Sequence, residues 1–196
     1  ARKSFFAVGN RIVCLGSDIE NNLKGAPVHT TLFQKSLEKA EENISYTCED
    51  GLIKDHDGVT YIVKDAQIHF KSGLQHSLHE ESDMPVEGFF EMAYIDHGDI
   101  VKGGRYEYVV ILPDGSEDQK ASYEIVRHDS EVHSVKDIPT GIVSAAVFEE
   151  GQIDENILFS SPAMVMYSTN GDAMTLSVAN PDLALYAGES DEKFDK

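Results

Sequence analysis

Apolar and polar residues alternate over short stretches of this chain, and the stretches are separated by Gly, Asn, Asp and Pro. Arg11-Ile12-Val13-Cys14-Leu15-Gly16 reads as a buried strand ending at its glycine, and Val59-Thr60-Tyr61-Ile62-Val63 mixes β-branched and aromatic residues as strands do. Between them, Asp50-Gly51 and Asp57-Gly58 are hairpin-type dipeptides. Tyr106 to Leu112 predicts a long strand stopped by Pro113-Asp114-Gly115, because proline gives no N–H to a ladder and Asp-Gly favours a turn. The next strand is expected near Ala121. Ala163 to Ser168 and Ala173 to Val178 flank Asn170-Gly171, the sharpest hairpin signal in the chain.

Two segments have helical alternatives. Thr31 to Glu42 is rich in helix formers, but Leu32, Phe33 and Leu37 are too few apolar positions to fix a helix without tertiary support, so a loop with one helical turn competes. Ser144 to Glu150 fits helix or strand, with Gly151 as its stop. Many short strands with regular turn signals predict an all-β fold, an antiparallel β-sandwich.

Residues 114–120, DGSEDQK, contain no large apolar side chain and are expected to link a β-sandwich segment, 1–113, to a smaller β domain, 121–196. The last residues, 189–196, read as a solvated charged tail. Charge changes the picture more. There are 16 basic residues against 35 acidic, a net charge of −19, which argues against nucleic acid, anionic membrane surfaces and a free-standing polyanion-binding role. No run approaches the roughly 18 apolar residues of a membrane-spanning helix. The N-terminus lacks a signal-peptide stretch, and with no Met and an immediate strand it reads like a piece of something longer.

Candidate chemistry is sparse. Cys14 and Cys48 have no metal or redox spacing, and two separate thiols, buried or half-buried, are the reading preferred over a disulfide. His76 and His79, with Glu80 beside them, would share a helix face, yet a zinc site needs three or four convergent ligands and the segment reads as a polar loop. Asp55-His56-Asp57-Gly58 resembles the start of a calcium loop, but position 12 is Ala66 where a bidentate Glu belongs, so a hairpin turn is expected. Asp154 with Glu155, or Glu149 with Glu150, could pair as acid and base, with exposed carboxylates as the default. Gly103-Gly104, between Lys102 and Arg105, could touch an anion but reads as the turn before the Tyr106 strand.

Several stretches in order resemble one enzyme family. Lys3-Ser4-Phe5-Phe6 with Ile12-Val13-Cys14-Leu15-Gly16-Ser17, then Val28-His29-Thr30-Thr31-Leu32-Phe33-Gln34, are similar to strands of the polysaccharide lyases that include hyaluronate lyases and chondroitin AC and ABC lyases, with His29 where that family usually has Glu. Tyr94-Ile95-Asp96-His97-Gly98, Tyr106 to Pro113, Ser161 to Met166 and Ser177 to Leu183 continue the resemblance, and the TTLFQ and NPDL forms favour the chondroitin ABC branch.

The resemblance implies a large antiparallel sandwich domain followed by a smaller C-terminal β domain, incomplete as it stands here. It also implies that the catalytic Asn, His, Tyr and Arg sit on a helical toroid upstream, with a catalytic Glu in upstream sandwich residues. No catalytic, cofactor-binding or metal residue is therefore carried over, and no cofactor is expected. His97 is expected to hold a turn. The expected partners are that toroid and the remaining sandwich strands of a secreted or periplasmic lyase, with the glycosaminoglycan reached only through the parent. A carbohydrate-binding or adhesion module is the alternative, weakened by the absence of tryptophan.

Overall fold

The computed structural model describes residues 1–39, 43–113 and 122–181. The chain divides into two compact units, residues 1–122 and 123–196. The expected linker at 114–120 and the charged tail at 189–196 lie outside the described residues.

The first unit is a sandwich of two antiparallel sheets. One holds β1 (Arg2–Val8), β2 (Arg11–Asn21), β5 (Leu52–Lys54), β6 (Thr60–Lys64) and β9 (Val101–Ile111), in the order β1-β2-β9-β6-β5. The other holds β3 (His29–Leu37), β4 (Ile44–Cys48), β7 (Ile68–Leu78) and β8 (Pro85–Asp96), in the order β3-β8-β7-β4. Cys14, Ile53, Tyr61, Val63 and Tyr108 of the first sheet meet Phe33, Ile68, Phe70, Ala93 and Ile95 of the second in one core. Strand pairing puts alternate residues on opposite faces, so the inward row of each strand is apolar where the sheets overlap.

The second unit is a five-stranded antiparallel sheet in the order β10-β11-β12-β15-β16, with a short β13–β14 ladder. Its strands are β10 (Tyr123–His128), β11 (Val132–Asp137), β12 (Val143–Val147), β13 (Gly151–Gln152), β14 (Leu158–Phe159), β15 (Ala163–Asn170) and β16 (Ala173–Ala179). Val132, Ala145, Val147, Ile153, Val165 and Tyr167 form its core. The hairpin expected at Asn170-Gly171 joins β15 to β16, with Asn170 opposite Ala173.

Several local expectations are corrected. The helical alternative at Thr31–Glu42 gives way to β3 as far as Leu37, and residues 40–42 lie outside the described residues. A bulge between Thr31 and Phe33 explains the misleading pattern, because the extra residue lets Leu32 and Phe33 both point inward. Ser144–Glu150 is strand through Val147, paired on both sides. The strand at Arg11 continues past Gly16 to Asn21.

Gly16 is needed for a different reason than stopping a strand. A Cβ there would lie 2.1 Å from Tyr106 Cε1, so the glycine lets the tyrosine ring lie flat across β2. Beyond it, an extra residue on β2 beside Asp18 (φ 54) is answered by one on β9 at Gly103 (φ 65), which restores the pairing. Gly103-Gly104 is thus a bulge inside β9, not a turn before it. Asp50-Gly51 is also not a hairpin: it carries the chain from β4 in one sheet to β5 in the other.

Candidate functional site

The polar residues flagged in the sequence fall into separate clusters. At the β5–β6 turn, Asp55 is buried to 4% exposure, and its Oδ1 accepts the amide N–H groups of Asp57 and Val59 at 3.0 and 2.9 Å. This is an Asx-type hairpin turn, as expected for Asp55-His56-Asp57-Gly58. Its other oxygen lies 2.6 Å from Lys35 Nζ on β3 of the facing sheet, and the same ammonium lies 2.7 Å from Asp57. Both carboxylates favour the charged lysine, whose pKa is raised against the opposing effect of burial. The carboxylate that could have led a calcium loop instead neutralises an inward-pointing lysine.

His56 in the same turn reaches β8. Its amide donates to Glu91 Oε1 at 3.0 Å, and its Nδ1 lies 2.7 Å from that oxygen. The Glu91 contact raises the imidazole pKa. Lys35, Asp55, Asp57, His56 and Glu91 therefore form one ionic tie between the two sheets.

His97 holds a turn. Its Nε2 shares a 2.8 Å hydrogen bond with Thr30 Oγ1, its amide donates to Val28 O at 2.9 Å, and Gly98 N–H donates to Asp96 Oδ1 at 2.7 Å. Burial pushes its pKa down. His76 lies in β7 beside Glu87, whereas His79 lies in the β7–β8 turn and accepts the Glu81 amide at 3.3 Å. The segment is strand and turn, not one polar loop, and the two imidazoles do not converge.

Cys14 is buried and Cys48 half-buried, and both are free thiols. Cys48 donates to Asp50 Oδ1 and to Leu52 O. In the second unit, Asp154 caps a turn by accepting the Asn156 and Ile157 amides at 2.8 and 3.1 Å, and it accepts the Tyr167 hydroxyl. Burial raises its pKa, but these donors outweigh it and the net shift is downward. Asp154 thus anchors Tyr167 while Glu155 stays exposed, and Glu149 and Glu150 are exposed in the turn after β12.

One arrangement escaped the sequence reading. On the outward face of the four-stranded sheet, Tyr94 is flanked by His29 and His69, with ring centroids 4.3 and 5.3 Å away. The Lys71 ammonium lies 5.6 Å from the same ring. The signal was the two-residue spacing of His69 and Lys71 on β7, which puts both on one face, but the cross-strand partner Tyr94 is supplied only by register.

Comparison with known proteins follows from this architecture. The super-sandwich domain of polysaccharide lyase family 8 matches residues 1–124, and that family's C-terminal β-sandwich domain matches residues 124–185. A chondroitin sulfate ABC exolyase of Proteus vulgaris is 32% identical over 212 residues, and one of Bacteroides thetaiotaomicron is 34% identical over 210. Each match takes in 100% of this chain but 21% of the relative, so the chain spans about a fifth of their length.

Among solved structures, a chondroitinase AC lyase superposes with a TM-score of 0.72 at 17% identity, covering 91% of this chain and 30% of that one. The Streptomyces coelicolor A3 chondroitin AC lyase in complex with chondroitin sulphate gives 0.65 at 17% identity, covering 91% and 25%. These two likenesses concern the fold. With both of its domain types matched in order and relatives above 30% identity along its full length, the chain belongs to polysaccharide lyase family 8.

Proposed function

We propose that this chain is the non-catalytic C-terminal β portion of a chondroitin sulfate-type glycosaminoglycan lyase, working in a secreted or periplasmic enzyme and supporting a helical toroid that carries the catalytic groups. The observation that carries this reading is the full-length match to two chondroitin sulfate ABC exolyases of which the chain spans only 21%. The side-chain chemistry agrees with it. Asp55, Asp57, Glu91, Asp154, His56 and His97 are engaged in ion pairs, turn caps and strand ties.

The reaction proposed for the parent is β-elimination at a uronic acid. Neutralising the uronate carboxylate acidifies the C5 proton, a base removes it, the C4–O bond breaks as the C4–C5 double bond forms, and an acid protonates the leaving glycosidic oxygen. That chemistry needs cationic and amide groups around the uronate, which suits a cleft elsewhere better than a chain of net charge −19.

Incubating the isolated chain with chondroitin sulfate and following the ultraviolet absorbance of unsaturated uronate tests the reading. No absorbance increase is expected. Release of unsaturated disaccharide by this chain alone would overturn its non-catalytic role.

A further inference from the structure

The β15–β16 hairpin carries a reactive dipeptide at its tip. Asn170 is the last residue of β15 and stands opposite Ala173, so only Gly171 and Asp172 lie outside the ladder. Of these two, Gly171 alone has a positive φ, 59°, the pattern of a hairpin turn with glycine first in the loop. Asn170 and Gly171 are both exposed. Among the described residues, no group bonds the Asn170 carboxamide and none accepts from the Gly171 N–H. Apart from its chain neighbours, no heavy atom lies within 4 Å of where a Cβ on Gly171 would stand, so the space beside that nitrogen is open.

The other six of the chain's seven asparagines lack that combination. The side-chain amide of Asn10 donates to the Leu112 carbonyl, and that of Asn21 to the Leu23, Ala26 and Asp99 carbonyls. The N–H after Asn22 is held by Asn21 Oδ1, and the one after Asn156 by Asp154 Oδ1. Asn43 Oδ1 accepts the Leu74 N–H, and Asn180 precedes Pro181, which has no N–H to lose. Asp57-Gly58 is a related dipeptide in locked form, its carboxylate on Lys35 and its glycine N–H on the Asp55 carbonyl.

We propose that Asn170 is a self-modification site, where the side chain closes on the Gly171 nitrogen and the product loosens β16. The Gly171 nitrogen gives its proton to hydroxide and bonds Asn170 Cγ. The Cγ–Nδ2 bond then breaks, and the departing group takes a proton from water and leaves as ammonia, which creates a five-membered succinimide. Water opens that ring at either carbonyl. Breaking the new N–Cγ bond gives aspartate, whereas breaking the original peptide bond gives isoaspartate, whose main chain runs through the side chain and is one carbon longer. Water is the sole co-reactant. Hairpin register follows turn type and loop length, so the longer main chain no longer matches the ladder. β16 is the end strand of its sheet, paired to β15 alone and exposed at all seven positions, so few contacts oppose its release.

The test is storage of the full chain in mildly alkaline buffer, followed by peptide-mapping mass spectrometry with isoaspartate detection and by backbone hydrogen exchange. Conversion at Asn170 is expected about tenfold ahead of any other asparagine, faster at higher pH and accompanied by released ammonia. In the stored protein, the amides of β16 should exchange faster than in fresh protein, while those of β11 and β12 keep their rates. Asn170→Gln keeps a carboxamide but would need a six-membered ring, so it should hold both its amide and its β16 protection on storage. Another asparagine converting first, or an intact Asn170, would overturn the site. Aspartate as the sole product, isoaspartate with unchanged β16 exchange, or equal loosening in stored Asn170→Gln would overturn the release of the strand.

Discussion

Ser134 lies fully buried in β11, and its hydroxyl has no hydrogen-bond partner among the described residues. A hydroxyl desolvated without a partner costs stability that alanine would not, so Ser134→Ala is expected to leave the chain as stable or to stabilise it by about 1 kcal/mol in thermal or urea unfolding. A clear loss would mean the hydroxyl is satisfied. His56 and His97 differ in the opposite sense to one another. Contact with Glu91 raises His56 above its ordinary 6.5, so its stabilising contribution is complete below that value and fades as pH rises through the folded-state pKa. Burial lowers His97, so its contribution is complete above 6.5 and fades as pH falls. NMR titration should therefore find the His97 midpoint below that of His56. His56→Asn should lower the melting temperature at about pH 5.5 more than at about pH 9, and the reverse order would remove the ionic account of the His56–Glu91 contact.

At the scale of elements, the tie between β3 and the β5–β6 turn is the most consequential contact on view. Lys35 presents a side chain about one-quarter exposed to the Asp55 carboxylate, which is wholly buried. Lys35→Met removes the cation and leaves that carboxylate unpaired, with an expected cost of about 3 kcal/mol. Adding Asp55→Asn should recover much of it, because the amide oxygen still accepts the Asp57 and Val59 N–H groups while the buried charge is gone. Urea denaturation of the two single variants and the double gives the coupling directly, and strict additivity would argue against the pair.

This tie also marks the limit of what the sequence discloses. The Asp55 turn, the β15–β16 hairpin and the all-β class follow from local alternation and turn residues. That Lys35 answers Asp55 depends on two sheets stacking, and no local pattern encodes it. The β3 segment was ambiguous because its bulge makes Leu32 and Phe33 consecutive core residues, which breaks the strand period. Asp50-Gly51 shows where the chain turns but not which sheet the next strand joins. The His29–Tyr94–His69 stack was hidden for the same reason, since three strands must come into register before the rings meet.

For the whole molecule, the question is which electrostatic effect sets stability: general repulsion or the few good pairs. Net charge of −19 over 196 residues makes the folded state self-repelling at neutral pH. Against it stand the Lys35 pairs and Arg127, which bonds Asp129, Glu131 and the Gln152 carbonyl across the β10–β11 turn to β13. These contacts are short, and the Lys35–Asp55 pair has a buried carboxylate that salt reaches little, although Asp57 and Glu131 are exposed; the repulsion acts over distances that about 0.15 M salt screens. The melting temperature at pH 7.5 is therefore expected to rise from about 0.01 to about 0.15 M sodium chloride, and the rise should shrink as pH falls and carboxylates become neutral. A melting temperature that falls with added salt would mean that the ion pairs, rather than the excess of acids, dominate the balance.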